Sequence, residues 1–279
     1  MKYENVIYEK KDRIARLTLN RPQKLNAMSR ALLREFDAII AELQQDKDTH
    51  VLVIKGTGRA FCSGFDLTDP ERADHEGEST VSTLLEEREG GIRAMARWFR
   101  LWEIPQAVIA QVHGYCLAGG CELAMMCDLT VAAEDAVIGY PVARMGASPR
   151  QIWPWLIGLK RSKELLFTGD SVSGKEADRI GMINRAVPAA QLEEEVNKLA
   201  FKISQMPLDL IRLHKTGVNR TYEIMGIRNA VNYGLELHAF GHVTDSRESF
   251  ESAVKHKGLK NALEARDKPF GGEKGKAAR

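Results

Sequence analysis

Residues 104–128 read Ile-Pro-Gln-Ala-Val-Ile-Ala-Gln-Val-His-Gly-Tyr-Cys-Leu-Ala-Gly-Gly-Cys-Glu-Leu-Ala-Met-Met-Cys-Asp. The apolar run at 108–112 has the length and composition of a strand covered on both faces. A small-residue turn follows, and a helix is expected to open at Gly119 and Gly120. The first amides of a helix have no partner within it and point outward, so such a turn suits a developing negative charge. One turn into this helix stands a single carboxylate, Glu122. A carboxylate beside a ready-made anion site points to proton transfer next to an oxyanion.

The same grammar recurs upstream. Residues 51–54 form a short apolar strand, and the glycine-rich turn after it ends in Phe61-Cys62-Ser63-Gly64-Phe65-Asp66. Ahead of these lie a hairpin (residues 6–8 and 14–19) and a helix after Ser29, in which Leu32, Leu33, Phe36, Ile39, Ile40 and Leu43 share one face. Residues 68–79 turn polar and charged and are expected to form a loop, followed by a helix over 81–102. The second half is helical. Ser173-Gly174-Lys175-Glu176 reads as a capping box, and periodic segments cover 191–205, 208–219, 222–241 and 246–257. Strands first and helices afterwards predict an α/β core over residues 1–200, a helical region over 201–266, and a disordered Gly- and Lys-rich tail over 267–279.

Composition excludes several classes. A chain of 279 residues with a net charge of +2 has no excess of positive charge to favour nucleic acid. No apolar run approaches the roughly 20 residues of a membrane span. The first residues resemble neither a signal nor a transit segment, so a cytoplasmic location is expected. Cys62, Cys116, Cys121 and Cys127 form no CxxC pair and read as packed, reduced thiols. The seven histidines suggest no metal-ligand spacing, and His113 is expected to close a strand. Gly169 to Lys175 imitates a phosphate-binding loop, but Glu176 stands where Ser or Thr would hold Mg²⁺, and the preceding segment reads as helix. Ser63 lies in no GxSxG elbow.

Several stretches, in order, resemble the enoyl-CoA hydratase/isomerase (crotonase) superfamily. Asn20-Arg21-Pro22-Gln23-Lys24-Leu25-Asn26-Ala27 is similar to its NRP-x-x-x-NA element. Gly58 to Leu67 resembles its first oxyanion turn, and Val112 to Asp128 its second. Leu166-Phe167-Thr168-Gly169-Asp170, Glu176-Ala177 and Gly181-Met182-Ile183-Asn184 resemble its later pattern. The resemblance spans roughly residues 3–260. It implies a crotonase-like ββα spiral core with a C-terminal helical trimerisation region, assembled as a homotrimer or a dimer of trimers. It also implies an acyl-CoA thioester substrate, with coenzyme A entering as part of that substrate and no separate cofactor or metal.

Carried over by position, the resemblance makes the Phe65 and Gly119 amides the oxyanion hole and Glu122 the catalytic acid/base. Lys24, Ala27, Ser63, Asp66, Leu67 and Val142 are the expected substrate-binding positions. Read structurally instead, Gly119 and Gly120 would merely let a helix pack closely on a strand. Phe65 stands where the hydratases have a small residue, so its ring is expected either to line the acyl pocket or to turn into the core.

The hydratases place a second glutamate in a Pro-Glu element. Here the matching stretch is Gly139-Tyr140-Pro141-Val142-Ala143-Arg144-Met145-Gly146, and Val142 occupies the position. Valine cannot exchange a proton. Tyr140 and Arg144 flank it, and Ser148-Pro149-Arg150-Gln151 replaces the usual glycine-rich turn. Hydration of an enoyl-CoA is the leading expectation. Double-bond isomerisation, thioester hydrolysis and a catalytically weak acyl-CoA-binding scaffold stay open. Arg21 and Lys24 are expected at the nucleotide phosphates, with Lys255, Lys257, Lys260 and Arg266 contributing or forming a solvated face.

Overall fold

A computed structural model describes residues 3–71, 79–146 and 151–271. The loop expected at 68–79 and the turn at 148–151 therefore lie largely outside the described residues. The chain opens with β1 (Val6–Lys11) and β2 (Ile14–Leu19), antiparallel with Val6 opposite Leu19. Helix α1 (Arg30–Gln45) follows, capped by the Ser29 hydroxyl, which accepts a bond from Leu32 N–H at 3.2 Å. Its buried face is the sixfold stripe read from the sequence, and Phe36 meets Trp98 edge to face at 5.7 Å.

Next come β3 (Val51–Gly56), β4 (Ala60–Cys62), α2 (Thr80–Glu103), β5 (Ala107–Val112), β6 (Tyr115–Leu117) and α3 (Gly119–Met126). β7 (Leu129–Ala133), β8 (Val137–Gly139), α4 (Trp153–Thr168), β9 (Ser171–Ser173), α5 (Gly174–Arg179) and β10 (Arg185–Val187) complete the core. One sheet has the order β1-β2-β3-β5-β7-β10, and the other β4-β6-β8-β9. From β2 onward the large sheet is parallel, and so is β4-β6-β8. The chain thus crosses from the large sheet to the small one three times, at β3–β4, β5–β6 and β7–β8. This is the ββα spiral expected from the resemblance.

β5 is buried along its whole length, as an interior parallel strand should be. β2 lies between β1 and β3, and only Arg16 is partly exposed; Ala15, Leu17 and Leu19 share one buried face, and Ile14 and Thr18 are buried on the face of Arg16. All four cysteines are buried and free, and burial pushes the Cys62 thiol up to about 12.

The remaining helices are α6 (Leu192–Ser204), α7 (Leu208–Ile224), α8 (Ile227–Gly241) and α9 (Asp245–Asp267). The segment read as one helix over 222–241 is divided. α7 runs on through Ile224, and Gly226, at φ +104°, separates it from α8. α9 is longer than expected and kinks at Gly258. The tail expected from 267 also begins too early. Asp267 is buried and paired with Arg144 and Arg266, and a 3₁₀ turn (Lys268–Phe270) follows it. No helix among the described residues is long and apolar enough to cross a membrane.

One buried ion pair ties the helical half to the spiral. Lys215 on α7 donates to the carbonyls of Leu101 at 2.5 Å and Gln106 at 2.9 Å, and its ammonium stands 2.8 Å from Asp128. Asp128 also accepts Val108 N–H at 2.7 Å, so it fixes the start of β5. Burial pushes the Asp128 carboxyl up, while Lys215 and the amide pull it down. Lys215→Met strands that carboxylate, and a loss of about 3–5 kcal/mol is expected, read as a fall in the urea unfolding midpoint.

Candidate functional site

The site forms where two turns touch. β6 ends at Leu117, and Ala118 turns the chain into α3 with φ 50° and ψ −122°, a conformation an alanine adopts only under constraint. Two bonds impose it. Ala118 N–H donates to Gly139 O at 2.9 Å, and Ala118 O accepts Glu122 N–H at 3.0 Å. The latter is the helix's first backbone bond, so the amides of Gly119, Gly120 and Cys121 lie ahead of the ladder.

In the second turn, Gly64 has φ +108°, and segment 64–66 lies beside Met28. Met28 N–H donates to Gly64 O at 2.7 Å, and Asp66 N–H to Met28 O at 3.1 Å. A Cβ at Gly64 would stand 3.0 Å from Ala118 Cβ and 3.3 Å from Gly119 N, so the two turns are in contact.

The two glycines of α3 have different work. A Cβ on Gly120 would collide with the Cys62 carbonyl, which makes this glycine the close-packing contact of helix on strand. A Cβ on Gly119 would come 2.8 Å from the Phe65 ring and 3.0 Å from Met28 Cε. The Phe65 ring therefore does both things expected of it. It packs on the core over Gly119, and it lines the neighbouring cavity.

That cavity holds about 1030 Å³. Phe65, Gly119 and Val142 line it, and so do Lys24, Ala27, Ser63, Asp66 and Leu67. Every expected substrate-binding residue is thus brought together. Glu122 is placed differently: it is 2% exposed, on the first turn of α3, and is not part of the lining among the described residues.

Arg21, expected at the nucleotide phosphates, points inward. Its guanidinium bonds Ala27 O at 2.5 Å and pairs with Asp66 at 2.9 Å. Asn26 of the same element is fully buried; its amide bonds Thr57 O and Ala60 O, and its Oδ1 accepts Arg21 N–H at 2.9 Å. The Asn-Arg-Pro element is therefore a clamp beneath the Phe65 turn. Lys24 stays at the surface, 3.1 Å from Thr68 Oγ1.

Arg144 offers no proton to replace a glutamate. Its guanidinium donates to Thr168 O at 2.7 Å, Asp267 at 3.1 Å and Asp170 at 2.7 Å, and lies over the Phe270 ring. Arg266 is drawn in beside it, 2.7 Å from Asp267, and lines the cavity. Lys260 by contrast is solvated.

The sequence reading overlooked one cluster in the cavity wall. His238 on α8 and His242, which caps that helix, lie four apart with ring centroids 4.8 Å apart, and His242 Nδ1 is 3.1 Å from Glu87 Oε1 on α2. The i, i+4 spacing was the available signal. Only the fold supplies Glu87.

The enoyl-CoA hydratase/isomerase family model matches residues 9–273. The chain belongs to that family. Among relatives of this hydratase/isomerase-family enzyme, a crotonyl-CoA hydratase of Syntrophomonas wolfei is 35% identical, over 86% of this chain and 90% of that protein. A probable mitochondrial enoyl-CoA hydratase of Dictyostelium discoideum is 36% identical, over 77% of this chain and 76% of its own length. The crystal structure of an enoyl-CoA hydratase/isomerase from Xanthobacter autotrophicus superposes with a TM-score of 0.87 at 32% identity, covering 96% of this chain and 99% of that one. An enoyl-CoA hydratase from Mycobacterium smegmatis gives 0.88 at 28% identity, covering 97% and 96%.

Asp66 holds the Gly64–Phe65 turn of this hydratase/isomerase-family enzyme in place. Burial works against its carboxylate, but hydrogen bonds from the Thr68 side chain and amide and from Arg21 outweigh that and hold the carboxyl below its usual range. Asp66→Ala is expected to lower stability by about 1–3 kcal/mol. Because the folded pKa is depressed, that deficit should appear above about pH 4 and shrink as the pH falls through the folded value. Denaturant melts of both proteins across that range check it.

Proposed function

We propose that this protein hydrates a 2-enoyl-CoA thioester, with Glu122 as its proton-transfer group. The contact between the Gly64–Phe65 and Ala118–Gly119 turns beside an acyl-sized cavity carries the reading. The thioester oxygen takes the Phe65 and Gly119 N–H groups as donors, each worth on the order of 3 kcal/mol in barrier height. Water adds to Cβ as Glu122 takes its proton, and the electron pair moves to the thioester oxygen as an enolate. The Glu122 carboxyl then returns the proton to Cα. Val142 cannot take part, so both transfers fall to one carboxylate. The reaction draws on no cofactor beyond the coenzyme A of the substrate, and Lys24 faces the nucleotide end.

The assay presents saturated, 2-enoyl, 3-enoyl and 3-hydroxyacyl-CoA esters and follows them by mass spectrometry. A 2-enoyl ester should gain one water, and Glu122→Gln should lower kcat by about 10²–10⁴-fold while CoA-ester affinity stays within a few-fold. Release of free CoA, or a shifted double bond at constant mass, would replace hydration with hydrolysis or isomerisation. Unchanged turnover in the variant would remove Glu122 from the chemistry.

We also propose a cytoplasmic homotrimer, or a dimer of trimers, formed through the C-terminal helices. Large apolar side chains exposed on α7 and α8, among them Leu213, Val218 and Tyr233, support this, as does Ile224 at 87% exposed. Sedimentation equilibrium should return three or six chains, and a monomer would refute the assembly.

A further inference from the structure

We propose that Glu87, His238 and His242 form a binding site for one divalent cation of the zinc type in the wall of the cavity, between α2 and α8. The two histidines stand four apart, His238 on α8 and His242 as its C-cap with helical backbone angles (φ −77°, ψ −12°), so both rings project from the same face. A carboxylate from the facing helix completes a two-histidine, one-carboxylate set, a donor combination that zinc accepts with a further position open. The potential ligand atoms all lie within 4.8 Å of one another. With metal–ligand bonds of about 2.0–2.1 Å, neighbouring ligands of a tetrahedral ion are about 3.3 Å apart. The His242 Nδ1–Glu87 Oε1 separation of 3.1 Å is close to that edge.

His238 is buried, the His242 side chain is 8% exposed, and the two ring centroids lie 4.8 Å apart. A single cation takes both imidazoles neutral and uses the adjacent carboxylate. All three residues line the cavity, so an ion held there would be open to it. The ion has no step in the hydration proposed above, and the two readings stand or fall separately.

The test uses the untagged full chain, stripped with chelator and desalted, titrated with Zn²⁺ by calorimetry and with Co²⁺ by visible absorption. One equivalent per chain is expected, with a rise in melting temperature that chelator reverses. Glu87→Gln, His238→Ala and His242→Ala should each weaken binding by about tenfold or more, whereas His256→Ala, on the exposed face of α9, should not. Circular dichroism and melting in chelator establish that each variant is folded. X-ray absorption on the zinc-loaded wild type needs no variant and should show nitrogen and oxygen ligands. Absence of stoichiometric binding, binding indifferent to Glu87→Gln and His242→Ala, or sulfur ligation would overturn the proposal.

Discussion

A helix can begin directly behind a strand only if the joint between them is very short. Here the joint is the single residue Ala118, held at φ 50° by its two backbone bonds, to Gly139 on one side and Glu122 on the other. The strain of such a conformation is of order 1–3 kcal/mol and persists because the surroundings over-determine it. β6 is anchored in the small sheet, α3 sits on β4 through Gly120, and Gly64 presses on Ala118 from the other turn. What the constraint secures is direction. The leading amides of α3 are aimed at one place without any side chain having to find it.

On the proposed reading, the electrostatic part of the site lies on backbone and the proton-transfer part on a single side chain, Glu122. Backbone donors are fixed by the fold and change little with substitution, so an arrangement of this kind tolerates departures that acid/base chemistry does not. Val142 is such a departure. It lines the cavity on a 3₁₀ turn (Pro141–Met145) whose neighbour Arg144 is wholly engaged in structural bonds.

Much of this was legible in the sequence because the deciding features are local. The strand at 107–112, the stripe on α1, the Ser29 and Ser173 caps and the two glycine turns each need only neighbouring residues to be recognised. What escaped depended on distant partners. Arg21 looked like a phosphate ligand until Asp66 and Ala27 were placed beside it. Asp267 looked like the start of a tail because nothing in its surroundings announces Arg144, which lies more than half the core away in the chain. The His238–His242 pair was visible as spacing, but it lacked meaning without Glu87 from α2. The division between α7 and α8 was legible, but it was placed at 219–222, ahead of Gly226, because the periodic pattern continues up to that glycine.

Arg144 also carries a consequence for the order in which the protein is made. Its three acceptors are Thr168, Asp170 and Asp267, and Phe270 covers its face. The first two emerge soon after Arg144 during synthesis, but the last two arrive nearly at the end of the described chain. Until they do, the arginine beside Val142 is only partly held, and the adjoining wall of the pocket is incomplete. A nascent chain with every strand of the spiral in place would still lack a finished cavity wall. Completion of the site thus waits on the arrival of its most distal contacts, a built-in delay between folding the scaffold and becoming able to bind.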